Sequence, residues 1–226
     1  MSNEAVFIKT LAKVDLKSKV LIQHAYLAKK LYECGRTEEA YIQSLNMEET
    51  SEEITLLTRS LPVYTGKPNA ADDVETIIEK SIPVKIGFTD KGWFSIRILS
   101  LLPRKDRGSV NYIRQFLFPA MRDFFLNNPP VRYADCVIIF RHVYNRNTPE
   151  RLYRDHDNIE VNIVTDILAM YTMSDDGPTV CSNYYCSACG TEDRTEVYVV
   201  PKSEFSEWLL LEKRMPDYGI TLYETR

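Results

Sequence analysis

CVIIFRHVY, residues 136 to 144, and NIVTDILAMYTM, residues 162 to 173, decide the fold class when read together. The first is a short apolar run rich in β-branched residues, which suits a central strand. The second reads as a helix, and the loop between the two carries most of the chain's unusual chemistry. Working outward, PVKIGF (83 to 88) and WFSIRILSLLP (93 to 103) read as two strands joined by the turn TDKG, with Phe94, Ile96 and Ile98 alternating against Ser95 and Arg97. SVNYIRQFLFPAMRDFFLNN (109 to 128) places Ile113, Phe116, Leu117, Ala120, Met121, Phe124 and Phe125 on one helical face, with Pro119 expected to kink it. Downstream, TEVYVV (195 to 200) is a strand, SEFSEWLLLEK (203 to 213) a helix and ITLYE (220 to 224) a candidate edge strand. The expectation is an α+β fold, a small mixed sheet with packed helices.

Residues 5 to 60 read differently, as helix throughout. Val20, Leu21, Ala25, Leu27, Ala28 and Leu31 recur at helical spacing before a stop at Gly35. Thr37 stands as N-cap of a second helix, with Glu38 and Glu39 in its first turn. The acidic stretch NMEETSEE (46 to 53) is where that second helix can break. LPVYTGKPNAADD (61 to 73) is rich in turn formers. The expected organisation is a helical hairpin over 1–60, a linker over 61–75 and an α+β domain over 76–226.

Composition narrows the function classes. With 226 residues, 44% of them hydrophobic, the chain can build a real core. No run approaches the roughly 18 apolar residues of a membrane span, and the charged start MSNEAVFIKTLAKVD is unlike a secretory signal, so a cytoplasmic protein with no membrane partner is expected. Five cysteines, an odd number, argue for reduced thiols. A net charge of −4 excludes a global basic field, so contact with a polyanion needs a local basic patch or bound metal.

Four acids frame the helix after the central strand: Asp155 and Asp157 on either side of His156, then Asp175 and Asp176. In extended chain, residues i and i+2 point to the same side, so the first two carboxylates can converge. Converging carboxylates repel unless a cation sits among them, and Mg²⁺ takes such hard oxygen ligands. Each pair alone also has an ordinary reading, an N-cap before a helix and a DDG turn.

Asp155-His156-Asp157-Asn158, the helix at 159 to 173 and Asp175-Asp176-Gly177 together resemble the motif of the RusA family of Holliday junction resolvases. Upstream, LSLLP, the basic loop RKDRGSVN, a long helix and the strand CVIIFRHVY extend the resemblance over residues 90 to 200. It implies a RusA-like core and a homodimeric, Mg²⁺-dependent endonuclease acting on branched DNA, with Asp155, Asp157 and Asp176 as metal ligands and catalytic residues and Asp175 beside them. The family usually has a lysine one turn after the second aspartate; here Val161 stands there, after Glu160. Arg104, Lys105, Arg107, Arg151 and Arg154 are the candidate replacements, and with Asn158 the candidate nucleic-acid contacts. The alternative is a RusA-fold binding or regulatory module without catalysis. A third reading has residues 1 to 60 dock a protein partner.

CSNYYCSACG (181 to 190) holds Cys181, Cys186 and Cys189. Zn²⁺ needs four ligands, so His142 or His156 would have to complete the set, against free thiols in a hairpin between Asp176 and TEVYVV. His156 reads either as a base or phosphate contact or as a packing residue on the face opposite the aspartates. Asn158, Asn162 and Asp166 form a polar stripe, and His24 reads as a core or interface histidine.

Overall fold

The computed structural model describes residues 2–105 and 108–225. It divides into two compact units, Met1–Thr76 and Ile77–Arg226. The first is built on two helices, α1 (Asn3–Glu33) and α2 (Thr37–Ser60), which pack on each other. The Ser2 hydroxyl caps α1 by accepting from the Ala5 amide (3.3 Å), and Gly35 supplies the left-handed residue (φ 75°) after its end. The half-buried face of α1 follows a seven-residue repeat, Phe7, Val14, Leu21 and Ala28 interleaved with Thr10, Lys17, His24 and Leu31. A 3.5-residue period of this kind is the seam of two coiled helices.

Three of those eight seam residues, Thr10, Lys17 and His24, are polar, so α1 and α2 are tied by specific partners as well as by burial. His24 Nδ1 hydrogen-bonds Gln43 Oε1 (2.7 Å), and Lys17 pairs with Glu53. His24 is therefore an interface histidine. Ala25 and Leu27 face away from α2, because a 3.5 repeat passes between them. The acidic stretch 46–53 does not break α2, and Thr37 is its first residue, not its cap. Residues 61–75 hold a 3₁₀ turn, Pro62–Thr65, and the start of α3 (Ala70–Ser81).

The second unit is the α+β domain. Its five strands are β1 (Val84–Phe88), β2 (Phe94–Ile98), β3 (Cys136–Asn145), β4 (Cys181–Gly190) and β5 (Arg194–Pro201), arranged in the order β1-β2-β5-β3-β4. Only β3 and β4 are parallel, joined by a crossover through α5 (Asn162–Thr172), as a parallel pair requires. β1 and β2 form the expected hairpin, with Gly92 at φ 78° in its turn. β3 lies between β5 and β4 and is buried along nearly its whole length.

Alternation along the strands sets two faces. On one, α4 (Ser109–Asn127) and α5 cover Phe94, whose ring stacks on Phe125, which in turn stacks on Tyr171 of α5. α4 runs on through Pro119. On the other, α6 (Phe205–Glu212) lays Trp208 over Val137, Ile139, Tyr198 and Val200. ITLYE contributes one bridge, Tyr223 against Phe88, not a full strand.

The cysteine segment differs most from expectation. CSNYYCSACG is the edge strand β4 itself, not a hairpin, and β5 pairs with β3 on the far side from β4. Its residues are only partly apolar because an edge strand is exposed on one flank. For that reason it carries no strand-like hydrophobic run.

Candidate functional site

The two acidic pairs occupy opposite ends of the β3–β4 pair. His156 Nε2 hydrogen-bonds Ser187 Oγ (2.9 Å), near the end of β4, whereas the Asp176 carbonyl accepts from the Cys181 thiol (3.3 Å) at its start. Six residues separate those two positions on β4, about 20 Å at ~3.3 Å per residue. Among the described residues, Asp155, Asp157, Asp175 and Asp176 supply no group of three ligands within 4.8 Å of one another. Their oxygen donors have the right chemistry for Mg²⁺, but within one chain the two pairs lie too far apart to share one ion.

The local backbone explains part of this. His156–Asn158 is a 3₁₀ turn closed by the Asn158 amide donating to the Asp155 carbonyl (3.0 Å), and α5 begins only at Asn162. Three residues per turn splay Asp155 and Asp157 apart, where an extended chain would align them. His156 turns toward the sheet, its ring 5.8 Å from His142 and 5.9 Å from Tyr185, while both aspartates stay exposed. His156 thus packs. Asn158, Asn162 and Asp166 all face solvent.

The basic loop does meet the acidic turn. Lys105 N donates to Asn158 O (2.7 Å) and Glu160 N to Pro103 O (2.9 Å), a short antiparallel bridge centred on Arg104 and Ile159. Around it lies a polar cavity of about 340 Å³ lined by Arg104, Lys105, Tyr153, Asp155 and Asn158. Tyr153 stacks on the buried Tyr144 with ring centroids 4.1 Å apart, and its hydroxyl hydrogen-bonds Cys189 Sγ (3.2 Å), which pushes its pKa up to about 12. Two exposed cations, an aromatic ring, an amide and one carboxylate can together receive an anionic ligand with a planar group. Tyr153 was not singled out in the sequence; its place in an Arg-rich loop was the only signal.

The remaining basic candidates divide. Arg154 turns inward: its guanidinium donates to the Leu102 carbonyl and its amide to Tyr144 Oη (3.0 Å), so it ties the two loops together. Arg151 is exposed in a 3₁₀ turn, Glu150–Leu152, and is not among the cavity's lining residues. Arg107 lies outside the described residues. Val161, where the lysine would stand, is 3% exposed, and the adjacent Glu160 is buried with its carboxylate accepting from the Asn162 amide (3.2 Å). A lysine there would have to bury its charge or leave the core.

Among the described residues, the three cysteines supply no group of three metal ligands. Cys186 and Cys189 stand three apart on a strand and so project to opposite faces. Cys186 packs in the Trp208 cluster, where burial pushes its thiol up, away from the thiolate that zinc requires. Cys181 sits beside Cys136, whose thiol burial pushes up to about 12.

A second charged cluster lies on the α6 face. Arg97, Glu196, Arg141 and Cys186 stand directly opposite one another across β2, β5, β3 and β4. Glu196 accepts from Arg141 Nη1 (3.0 Å), Arg194 Nε (2.7 Å) and Tyr198 Oη (2.7 Å) and is wholly buried. Burial alone would raise its pKa; Arg141, the Tyr198 hydrogen bond and Arg194 outweigh that and hold it below the usual carboxylate range. Gly219, at φ 81°, covers this row, and a side chain there would collide with Arg97 and Glu196. The cluster is an internal tie between the sheet and the C-terminal segment.

No described helix is long and apolar enough to cross a membrane. The chain belongs to the Family of unknown function (DUF6100), whose model matches residues 3–226. No curated protein matches it.

Proposed function

We propose that this protein binds the phosphate backbone of nucleic acid, branched DNA first, through the cavity between the loops at 103–105 and 153–158, as a RusA-like binding module without its own cleavage activity. One observation carries the reading: the bridge between Pro103–Lys105 and Asn158–Glu160, which gathers Arg104, Lys105 and Tyr153 around one polar cavity. Arg104 and Lys105 would neutralise phosphates, Tyr153 would stack on a base or sugar, and Asn158 would donate to a phosphate oxygen. The net charge of −4 confines this binding to the local patch. Buried Val161 and the split acidic pairs favour the non-catalytic form.

The second reading is a Mg²⁺-dependent resolvase, favoured by Asp155 standing in the same cavity as the two cations. It requires a homodimer in which Asp175 and Asp176 of a second copy complete the ligand set. A divalent ion bound there would supply charge neutralisation and an activated water. Asp155 and Asp157 would hold it, and Arg104 and Lys105 would orient the backbone.

A labelled synthetic four-way junction, with duplex and single-stranded controls, tests both readings in Mg²⁺, Mn²⁺ and EDTA over a salt series. The binding module retains the junction in EDTA, never nicks it, and loses affinity with a log–log salt slope of about −1 to −2, as two phosphate contacts predict. Arg104→Ala with Lys105→Ala removes that slope. Paired metal-dependent nicks abolished by Asp157→Asn would instead establish the resolvase. Absence of binding to every nucleic acid would end both.

A further inference from the structure

The open edge of β1 borders a cleft of the second unit, separate from the loops of the proposed nucleic-acid site. It has a volume of about 650 Å³ and is lined by Ile82, Val84, Ile86, Phe116, Ala120 and Phe124, among others. Its floor is apolar. Its rim is not: Glu79, Asp123 and Glu224 line it against a single lysine, Lys85. Carboxylate oxygens of Glu79 and Asp123 come within 4.8 Å of each other, although Asp123 also pairs with Arg122 (2.8 Å). Two carboxylates that close favour a cation between them.

The backbone supplies the second half of the argument. Phe88 exchanges both of its outward hydrogen bonds with Tyr223, N–H to O at 2.7 Å and the reverse at 2.8 Å. Alternation then turns the N–H and C=O of Ile86 and Val84 outward too, toward the cleft. Among the described residues those groups have no backbone partner. Gly87 permits the close approach at Tyr223, since a Cβ there would lie 2.5 Å from the Tyr223 carbonyl oxygen. Among the described residues, the C-terminal segment pairs with one end of this edge, and the outward backbone groups of Ile86 and Val84 are left without a backbone partner.

We propose that the cleft binds an extended peptide that pairs with the unpaired edge of β1 and turns toward α4 a row of alternate side chains that combines apolar residues with lysine or arginine. Its main chain would continue the line of Leu222 and Tyr223 and bond Ile86 and Val84, as in strand addition. The apolar side chains of that row would point at Phe116, Ala120 and Phe124, and its cations, on the same face of the peptide, would reach Glu79, Asp123 and Glu224. Lys85 on the same edge repels a uniformly basic segment, so the apolar positions are needed as well as the charges.

The test is selection of the full-length protein against a displayed library of random twelve-residue peptides, followed by synthesis of the enriched sequence. Enrichment of peptides with apolar and basic residues at positions two apart is expected. Binding of the synthetic peptide should fall at least tenfold with Glu79→Lys combined with Glu224→Lys, two exposed positions that leave the fold intact, and also with Ala120→Arg. A proline in the centre of the peptide should abolish binding, and the Val84 and Ile86 amides should gain protection from hydrogen exchange in the complex. The inference is overturned by failure of any sequence to enrich, by enriched peptides lacking cations, by binding indifferent to the Glu79 and Glu224 reversals, or by binding without protection of those two amides. Loss of junction binding by the Arg104 and Lys105 variants would leave all of these results unchanged.

Discussion

The two faces of one sheet treat charge in opposite ways. On the α4–α5 face, the loop with Asp155, Asp157, Arg104 and Lys105 keeps its ionised groups exposed, and the sheet beneath it offers the neutral imidazole of His142. On the α6 face, Glu196 and the guanidinium groups of Arg141 and Arg194 are drawn inside and pair with one another, although Arg141 Nε and Arg194 Nη2 find no partner among the described residues. Exposed charges remain available to a ligand; buried ones bear on the fold. The difference teaches that the number of charged groups near a strand says little about function until their exposure is known.

The contrast breaks most severely at Glu196. Its replacement by alanine leaves two buried guanidinium groups without a counter-charge, and Glu196→Ala should lower stability by about 3–5 kcal/mol in a denaturant titration. A loss below about 1 kcal/mol would mean that water reaches Arg141 and Arg194, and the two faces would then not differ in kind.

His142 sharpens the comparison next, because it is the buried titratable group beneath the exposed loop. It is 0% exposed, its Nε2 has no partner among the described residues, and burial, with His156 and Arg154 adding to it, lowers its pKa to about 4. The unfolded chain, with a histidine near 6.5, binds the proton first, so stability falls as pH drops from about 6.5 toward 4. The predicted loss is about 3 kcal/mol over that window, with His142→Gln removing the slope and leaving only the carboxylate contribution below it. Glu196, held below its ordinary range, acts with the same sign: its contribution is present above the unfolded carboxylate range and lost as pH falls through the folded value. Thermal melts of wild type and His142→Gln across pH 4 to 8 separate the two.

The smallest effect belongs to the surface. Arg146 and Asp217 pair in the open, both more than half exposed, and Arg146→Ala should change stability by less than about 0.5 kcal/mol in the same titration. A cost comparable to that of Glu196→Ala would show that this pair holds the C-terminal segment in place.

Much of the fold was legible because it rests on periodicity. β3, α4, α5 and the β1–β2 hairpin each display their burial pattern along the chain, and the helical hairpin announces itself through Gly35 and the repeats before it. β4 was illegible since an edge strand buries only part of itself, and its serines, asparagine and cysteines look like a loop. Of the site, the loop at 104–105 and the turn at 155–158 come together through the bridge of Arg104 and Ile159, two residues 55 positions apart that no local pattern pairs. The separation of Asp155 from Asp176 did not follow from the sequence either, because it depends on β4 lying parallel beside β3, which puts the end of one strand and the start of the other at opposite edges of the pair.

The chain's own pattern determined the α+β class, the helical N-terminal unit, the central strand and the absence of a long apolar helix, since each depends on residues near one another in sequence. Tertiary structure alone decided that Glu196 lies between Arg141 and Arg194, that Cys186 and Cys189 face apart, that Val161 is core, and that β1 is an outer strand beside a cleft with acidic residues in its lining. These depend on strand order and register, and register is set by the packing of segments up to about a hundred residues apart, which no local pattern encodes.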